Sequence, residues 1–493
     1  MRHLPLLFCL LFGLTACLDD DKYTTSASDT LEFSADTIAF DTVFSGTPSS
    51  TMTFTVRNPH SKAIRIDQVR LQQGAVSPFR VNVDGMPLAG GTASDFEIGA
   101  KDTLLVYAFV NPEDRGMVDP VAEEDKLIFR TEAGAEQEVI LTASGQSVIP
   151  LQGKVIDSNE TLGGGRPYLV KDSLVIKEGA TLSLTAGTCL YFHSGASLIV
   201  HGTLLVNGTL DAPVVMRGDR LDYMFTNQPY DRIPGQWGGV IITSESHDSR
   251  VDYTDIHGGD FGIRVDSTDL DHTALRLRNS VIHTTRQHGL ESRMAKVEVG
   301  NTQITNAGAD CVHLRGGAYR FVHCTIGRFY VFSGGTGVAL DMANYDGKVR
   351  LPLQQADFEN CIITGYQSDE LMGGQNPDHQ RDAFNYAFSH CLINTPEPKE
   401  LDEHWTNCQW DDAKGENAVS RDKNFTPDFD LDKLLFSFQL NRKSKAVGTA
   451  DPSISSASYP LDRLGHPRTG NGINPDAGCY QSVEEKEENG ATE

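Results

Sequence analysis

Six segments of the chain align without a gap, and this repeat constrains the fold more than any other property of the sequence. The first is Val251-Asp252-Tyr253-Thr254-Asp255-Ile256, and its counterparts end at Ile282, Ile304, Ile326, Ile363 and Ile393. The small residue inside each unit is Thr254, Ser280, Thr302, Cys324, Cys361 or Cys391, at steps of 26, 22, 22, 37 and 30. Units this short cannot bury a face alone; stacked on one another they share a core. A step of 22–26 is one coil of a wide solenoid, and the longer steps are coils with an inserted loop. The residue before each small one is Tyr, Asn or His. Asn tolerates a left-handed backbone, so these positions are predicted to turn a tight corner. Thr, Ser and Cys are predicted to point inward as stacked fillers, a packing column rather than a disulfide ladder. A Cys-rich metal site would call for C-x2-C pairs, and the sequence has none.

A second column runs through the same coils. Gly262-Ile263-Arg264-Val265-Asp266, Gly289-Leu290-Glu291-Ser292-Arg293, Cys311-Val312-His313-Leu314-Arg315 and Gly337-Val338-Ala339-Leu340-Asp341 align at spacings of 27, 22 and 26. Alternation places Ile263, Leu290, Val312 and Val338 inside. Upstream, Gly179, Gly187, Gly195, Gly202 and Gly208 step by 8, 8, 7 and 6 through short alternating strands, which would form the first coils. Together these repeats resemble the right-handed parallel β-helix of the pectin-lyase-like superfamily, over about 150–480. The stretch Asp462-Arg463-Leu464-Gly465-His466-Pro467-Arg468, followed by Pro475-Asp476-Ala477-Gly478-Cys479-Tyr480, is similar to the ending of many secreted bacterial β-helix proteins. Cys479 stands where Ala is usual in them.

Residues 31–148 read differently. Seven short strand-like runs, among them Thr51–Val56, Phe79–Val83 and Thr103–Val110, alternate with turns at Asn58-Pro59, Asp84-Gly85 and Asn111-Pro112. This pattern fits a β-sandwich and resembles the Ig-like modules of cell-envelope proteins. The fold class expected is all-β: an Ig-like sandwich (31–148), then a right-handed parallel β-helix (149–480), then an acidic tail (481–493) expected to be disordered.

The first residues carry an address. Arg2 precedes an apolar run from Leu4 to Leu14, too short to span a membrane, as in a secretion signal over 1–16. Leu14-Thr15-Ala16-Cys17 resembles a bacterial lipobox, which implies an acylated Cys17. The acidic cluster Asp19–Asp21 behind it is similar to the surface-export signal of Bacteroidetes lipoproteins. Residues 17–30 are expected to be a lipidated flexible tether, and the partner they imply is the outer membrane. The whole order of parts resembles surface lipoproteins of that phylum.

Charge narrows the function. Lys+Arg 42 against Asp+Glu 67 gives −25. Nucleic acid needs cations on phosphates, so it is excluded as a partner. Polyanionic glycans are disfavoured too, unless a local basic patch or Ca2+ intervenes. On the outward side of the second column the sequence lines up two rows: Arg264, Glu291, His313, Ala339, and Asp266, Arg293, Arg315, Asp341. His288 and Asp310 sit just before, at matched positions. β-helix lyases and hydrolases keep their sites on such faces, and these residues are the candidate ligand or catalytic set. A lyase would use Arg293 or Arg315 with Asp266 and Asp310, plus Ca2+ or another cation against a uronate. A glycosidase would need two carboxylates about 5–9.5 Å apart, Glu291 with Asp266 or Asp310. Against both, opposite charges on facing strands also form plain solvated ladders. No cofactor is required and no metal site is assigned. The function expected is a non-catalytic glycan-binding or adhesive scaffold, its partner a glycan or a cell-surface protein, with Trp237, Tyr330 and Tyr345 as aromatics to stack on sugars. A polysaccharide lyase or glycoside hydrolase on the same face is the alternative.

Overall fold

The computed structural model describes residues 22–225, 227–332, 335–411, 424–426, 429–430, 432–470 and 472–482. Cys17, the export cluster and nearly all of the acidic tail lie outside them. The chain divides into two compact units between Gln146 and Ser147. No helix among the described residues is long and apolar enough to cross a membrane.

The first unit is two five-stranded sheets around one core. Alternation drives it: in Thr103–Val110 every second residue, Leu104, Val106, Ala108 and Val110, is buried. All pairs are antiparallel except Glu136–Gln146 with Thr37–Phe44, which run parallel. The Asn58-Pro59 turn is locked from within, because the buried Asn58 amide donates to the carbonyls of Lys62, Ile98 and Gly99. The expected tether is shorter than 17–30. Lys22 and Thr24 already exchange backbone hydrogen bonds with Ala63, and the Tyr23 hydroxyl donates to Glu97. Thr92–Ile98, which the sequence reading left out, forms the edge strand of the second sheet.

The second unit is mostly β, in three long parallel sheets. Each coil contributes one strand to each sheet in turn, and each strand pairs with its counterpart one coil on. This is the topology of a parallel β-helix. The Ile that ends each repeat explains the stacking: Ile256, Ile282, Ile304, Ile326, Ile363 and Ile393 face one another through the first sheet, all buried. Each such side chain contributes about 1.5–3 kcal/mol by leaving water. In the third sheet Phe321, Phe358, Phe388 and Trp405 stack at 4.8–4.9 Å, close to the rise per coil.

The corner between the third and first sheets is the predicted one. Tyr253, Asn279, Asn301, His323, Asn360 and His390 all have φ between 43° and 56°. The small residue after each is buried, and all seven described cysteines are free thiols. These residues do more than fill space. Ser280 Oγ accepts from Thr254 N (3.0 Å), Cys361 Sγ from Cys324 N (3.4 Å) and Cys391 Sγ from Cys361 N (3.4 Å). Each also donates to the carbonyl two residues back, as Ser280 does to Arg278 (2.6 Å) and Cys361 to Glu359 (3.3 Å). The corner is thus a hydrogen-bonded ladder that feeds the amides the turn leaves unpaired.

The C-terminal motif packs along the outside of this corner. Arg468 is fully buried and donates to Asn301 Oδ1 (2.9 Å) and to the carbonyls of Gly478 (2.9 Å) and Asp476 (3.2 Å). Asp462 accepts from the amides of Leu464, His466 and Gln481. The short helix Pro452–Ser458 docks through Ser455 on His323 (2.8 Å). Tyr480 donates to Gln303 (2.7 Å). The first residues of the expected disordered tail are held as well, since Ser482 N donates to Asp476.

Candidate functional site

The candidate face lies on the second sheet. Arg264, Glu291 and His313 occupy facing positions on the strands Ile263–Val265, Leu290–Arg293 and Val312–Arg315, as the sequence predicts. The fourth coil departs from prediction. Val312 pairs with Leu340, not Val338, and His313 pairs with Asp341, not Ala339. Asp341 therefore continues the row of Arg264, Glu291 and His313, and Arg315 faces Ala343. The slip is two residues, so it preserves which side chains point outward. Its cause is the loop before Leu340. Gly262 and Gly289 lie against the next coil's backbone at Gly289 and Cys311, whereas Gly337 packs on Ala309 and belongs to that loop.

The slip assembles a site. His313 Nδ1 lies 2.8 Å from Asp310 Oδ2 and 3.4 Å from Asp341 Oδ2. His288 Nδ1 lies 3.4 Å from the same Asp310 oxygen and accepts from Asp310 N at 3.2 Å. The two imidazoles are 4.3 Å apart. Arg315 donates to Asp341 (2.5 Å) and Arg264 to Glu291 (2.9 Å), with the Arg264 guanidinium 3.7 Å from the centre of the Phe261 ring. Burial lowers the His288 pKa, and His313 beside it lowers it further. Burial pushes the Asp310 carboxyl upward, but hydrogen bonds from His313 and Val338 N and the nearby His288 outweigh it and hold it low. One nitrogen of each histidine and one Asp310 oxygen fall within 4.8 Å of one another, a donor set that suits a divalent ion.

Two predicted residues stand apart. Asp266 is exposed and accepts from its neighbour's amide, Ser267 N. Arg293 lies 3.8 Å from Asp346, in the hairpin Tyr345–Arg350. Among the described residues neither makes a hydrogen bond or ion pair with Asp310. The aromatic prediction fails at Trp237. It is buried, stacked on Phe192 at 4.3 Å, and its indole N–H donates to the His257 carbonyl (2.8 Å). Tyr330 and Tyr345 are half-buried.

The sequence reading missed a second cluster, on the first sheet. His257 is clamped between Asp255 (2.9 Å) and Asp231 (2.8 Å) and stacks on His283 at 4.7 Å. Burial opposes charge on His257, but the two carboxylates prevail and raise its pKa to about 9. Asp231 comes from the loop between Gly218 and Gly239, so no local spacing could have revealed the contact.

No protein-family model matches the chain, and no curated protein matches it. Among solved structures, the chain is similar to the ASH/PapD-like domain of human CEP192, with 13% identity over 30% of this chain and 99% of that one, TM-score 0.16. It is also similar to the catalytic domain of a GH87 α-1,3-glucanase variant in complex with nigerose, with 9% identity over 74% of this chain and 87% of that one, TM-score 0.18.

The chemistry therefore rests on the residues. On the candidate face each of Glu291, Asp310 and Asp341 is already held by a cation or an imidazole. A glycosidase acid must keep its proton near neutral pH, and Asp310 is shifted the other way. Burial and the neighbouring His313 shift His288 toward a neutral base.

Proposed function

We propose that the protein is a lipid-anchored lipoprotein of the outer membrane, held by Cys17 and facing outward, whose right-handed β-helix is a non-catalytic glycan-binding or adhesive scaffold carried on an Ig-like module. The anchor rests on the lipobox resemblance, and the hand on the strong preference of parallel crossovers. The observation that carries the non-catalytic reading is the pairing on the second sheet. The carboxylates of Glu291, Asp310 and Asp341 are spent on ion pairs and hydrogen bonds, and those on Asp310 hold its carboxyl low, away from the range of an acid.

One observation favours the rival reading of a polysaccharide lyase or glycoside hydrolase. His288, kept neutral beside Asp310, is a base in search of a proton. The test is a glycan panel on soluble protein lacking residues 1–17, read for retention and for product as new reducing ends or unsaturated sugars. Retention without product is expected. Product that disappears in Glu291→Ala, Arg315→Ala or His288→Ala would replace the scaffold by an enzyme. Growth of cells on labelled palmitate tests the anchor, since Cys17→Ser must abolish labelling.

A further inference from the structure

The second sheet is not the only face with chemistry. On the third sheet a cavity of about 280 Å³ opens between the outward side of three coils and the end of the short helix. It has room for a molecule the size of one sugar ring, at the small end of ligand pockets. Its walls include Arg278, Glu298, Arg320 and Tyr459.

Two features distinguish it from the ion-pair rows around it. The first is charge. Arg276 takes up Glu298 (3.2 Å), and Glu359 takes up one amino group of Arg320 (2.5 Å). Asp252, across the strand pair from Arg278, accepts from Asn279 (2.8 Å). Among the described residues the Arg278 guanidinium, exposed at the cavity's edge, has no hydrogen bond or ion pair. Arg278 thus presents a guanidinium whose donors are all free at the mouth of the cavity. The second feature is shape. Gly300 lies between Arg278 and Val322 in the same outward row, where every side chain would close the floor. A Cβ there would sit 1.7 Å from the Tyr459 hydroxyl. The glycine lets the Tyr459 ring lie on the sheet, and the phenol closes one side of the cavity. Arg278 and Arg320 are two coils apart, about 10 Å along the axis, with Arg320 in the neighbouring outward row, opposite Glu298.

We propose that this cavity binds an oxyanion-bearing sugar residue, a carboxylate or a sulfate ester engaged by Arg278 and reached from the neighbouring row by Arg320, with the ring against Tyr459. The class follows from the donors: planar guanidinium forks match carboxylate and sulfate oxygens. Arg278 is the cation left free here to meet an anionic glycan. The choice of a sugar rests on the glycan-binding reading above; the oxyanion does not.

The test is titration calorimetry of the soluble chain lacking residues 1–17 with methyl β-D-glucuronide, glucose 6-sulfate, neutral methyl β-D-glucoside and inorganic sulfate. One or both acidic sugars should bind at least tenfold more tightly than the neutral glucoside, and more tightly than inorganic sulfate. Which acid wins separates carboxylate from sulfate. Arg278→Ala should weaken that binding about tenfold or more, Arg278→Lys less, and Tyr459→Phe a few-fold; raising salt should weaken it further. Arg278 is exposed, so its variants should melt like the parent. Equal binding of acidic and neutral sugars, or affinity unchanged in Arg278→Ala, overturns the proposal, as does a preference for inorganic sulfate over both acids. The scaffold reading fails separately. If the glycan panel is silent while methyl glucuronide binds and Arg278→Ala abolishes it, the cavity stands and the scaffold falls.

Discussion

Two ladders run through the same coils, and they obey different rules. The corner ladder of Thr254, Ser280, Thr302, Cys324, Cys361 and Cys391 is buried and neutral; every member donates to the carbonyl two residues back, and Ser280, Thr302, Cys361 and Cys391 also accept an amide from the coil before. The ladder on the second sheet, Arg264, Glu291, His313 and Asp341, is half-buried at its first three members and buried at Asp341, and its side-chain chemistry changes from coil to coil. At the corner, one residue must adopt a left-handed backbone and the next must fit a fixed space beside a free amide. Only a few side chains meet both conditions, so the sequence repeats. On the open face water satisfies whatever is there, and the repeat loosens. Conformity marks the part that holds the fold, and variation marks the part free to acquire function.

The sharpest way to break the comparison is to cut the corner ladder from outside. Arg468 buries its charge against Asn301, Gly478 and Asp476. Arg468→Ala leaves those acceptors unpaired and opens a cavity, and should cost about 3–5 kcal/mol. Urea denaturation measures it, and limited proteolysis should release the C-terminal segment first. A loss below about 1 kcal/mol would mean that the corner does not depend on its clamp.

Next in size is a pH effect on the first sheet. His257 has an ordinary pKa near 6.5 and a folded value of about 9, because Asp255 and Asp231 outweigh the burial that opposes its charge. Below 6.5 both folded and unfolded chains carry the proton, and the stabilisation is complete. Between 6.5 and 9 only the folded chain keeps it, so stability falls as pH rises through that window, by on the order of 3 kcal/mol. Denaturation midpoints from pH 6 to 10 should show the decline. His257→Gln should flatten it, and an equally steep decline in that variant assigns the effect elsewhere.

The same contrast explains what the sequence disclosed. Corner residues such as Asn301 and Cys361 were legible because backbone strain and burial admit few types. The inward columns were legible because alternation is strict. The register of Asp341 was not, since Gly337 imitates Gly262 while packing elsewhere, and a two-residue slip leaves polarity unchanged. Trp237 could not be placed because it sits in a loop, and only the fold shows that it caps Phe192. The His257 cluster and the Arg468 clamp join residues 26 and 167 positions apart, beyond any local pattern.

Within the corner the column should tolerate its own alphabet. Cys361→Ser keeps both hydrogen bonds and should cost under about 1 kcal/mol, whereas Cys361→Val loses them and overpacks the site, at about 1–3 kcal/mol. The thiols give a second readout. Burial raises Cys311 to about 12 and Cys479 to about 11 and pushes Cys361 and Cys391 well above their usual range. A thiol reagent should therefore leave these four unmodified in the folded chain and reach them on denaturation. Rapid labelling of Cys361 before unfolding would show a column looser than a packed ladder.

The smallest effect belongs to the ladder on the second sheet, and its smallness is the point. Arg264 and Glu291 meet at 2.9 Å with side chains 37% and 27% exposed, where solvent screens most of their attraction. A double-mutant cycle of Arg264→Ala and Glu291→Gln should give a coupling under about 1 kcal/mol, shrinking further in high salt. His313→Ala should also change stability little, because Asp341 keeps Arg315 and Asp310 keeps the Val338 amide. If these variants leave stability unchanged yet abolish glycan retention, the face is held for binding and not for folding. A coupling above 2 kcal/mol would place this row with the corner, as structure.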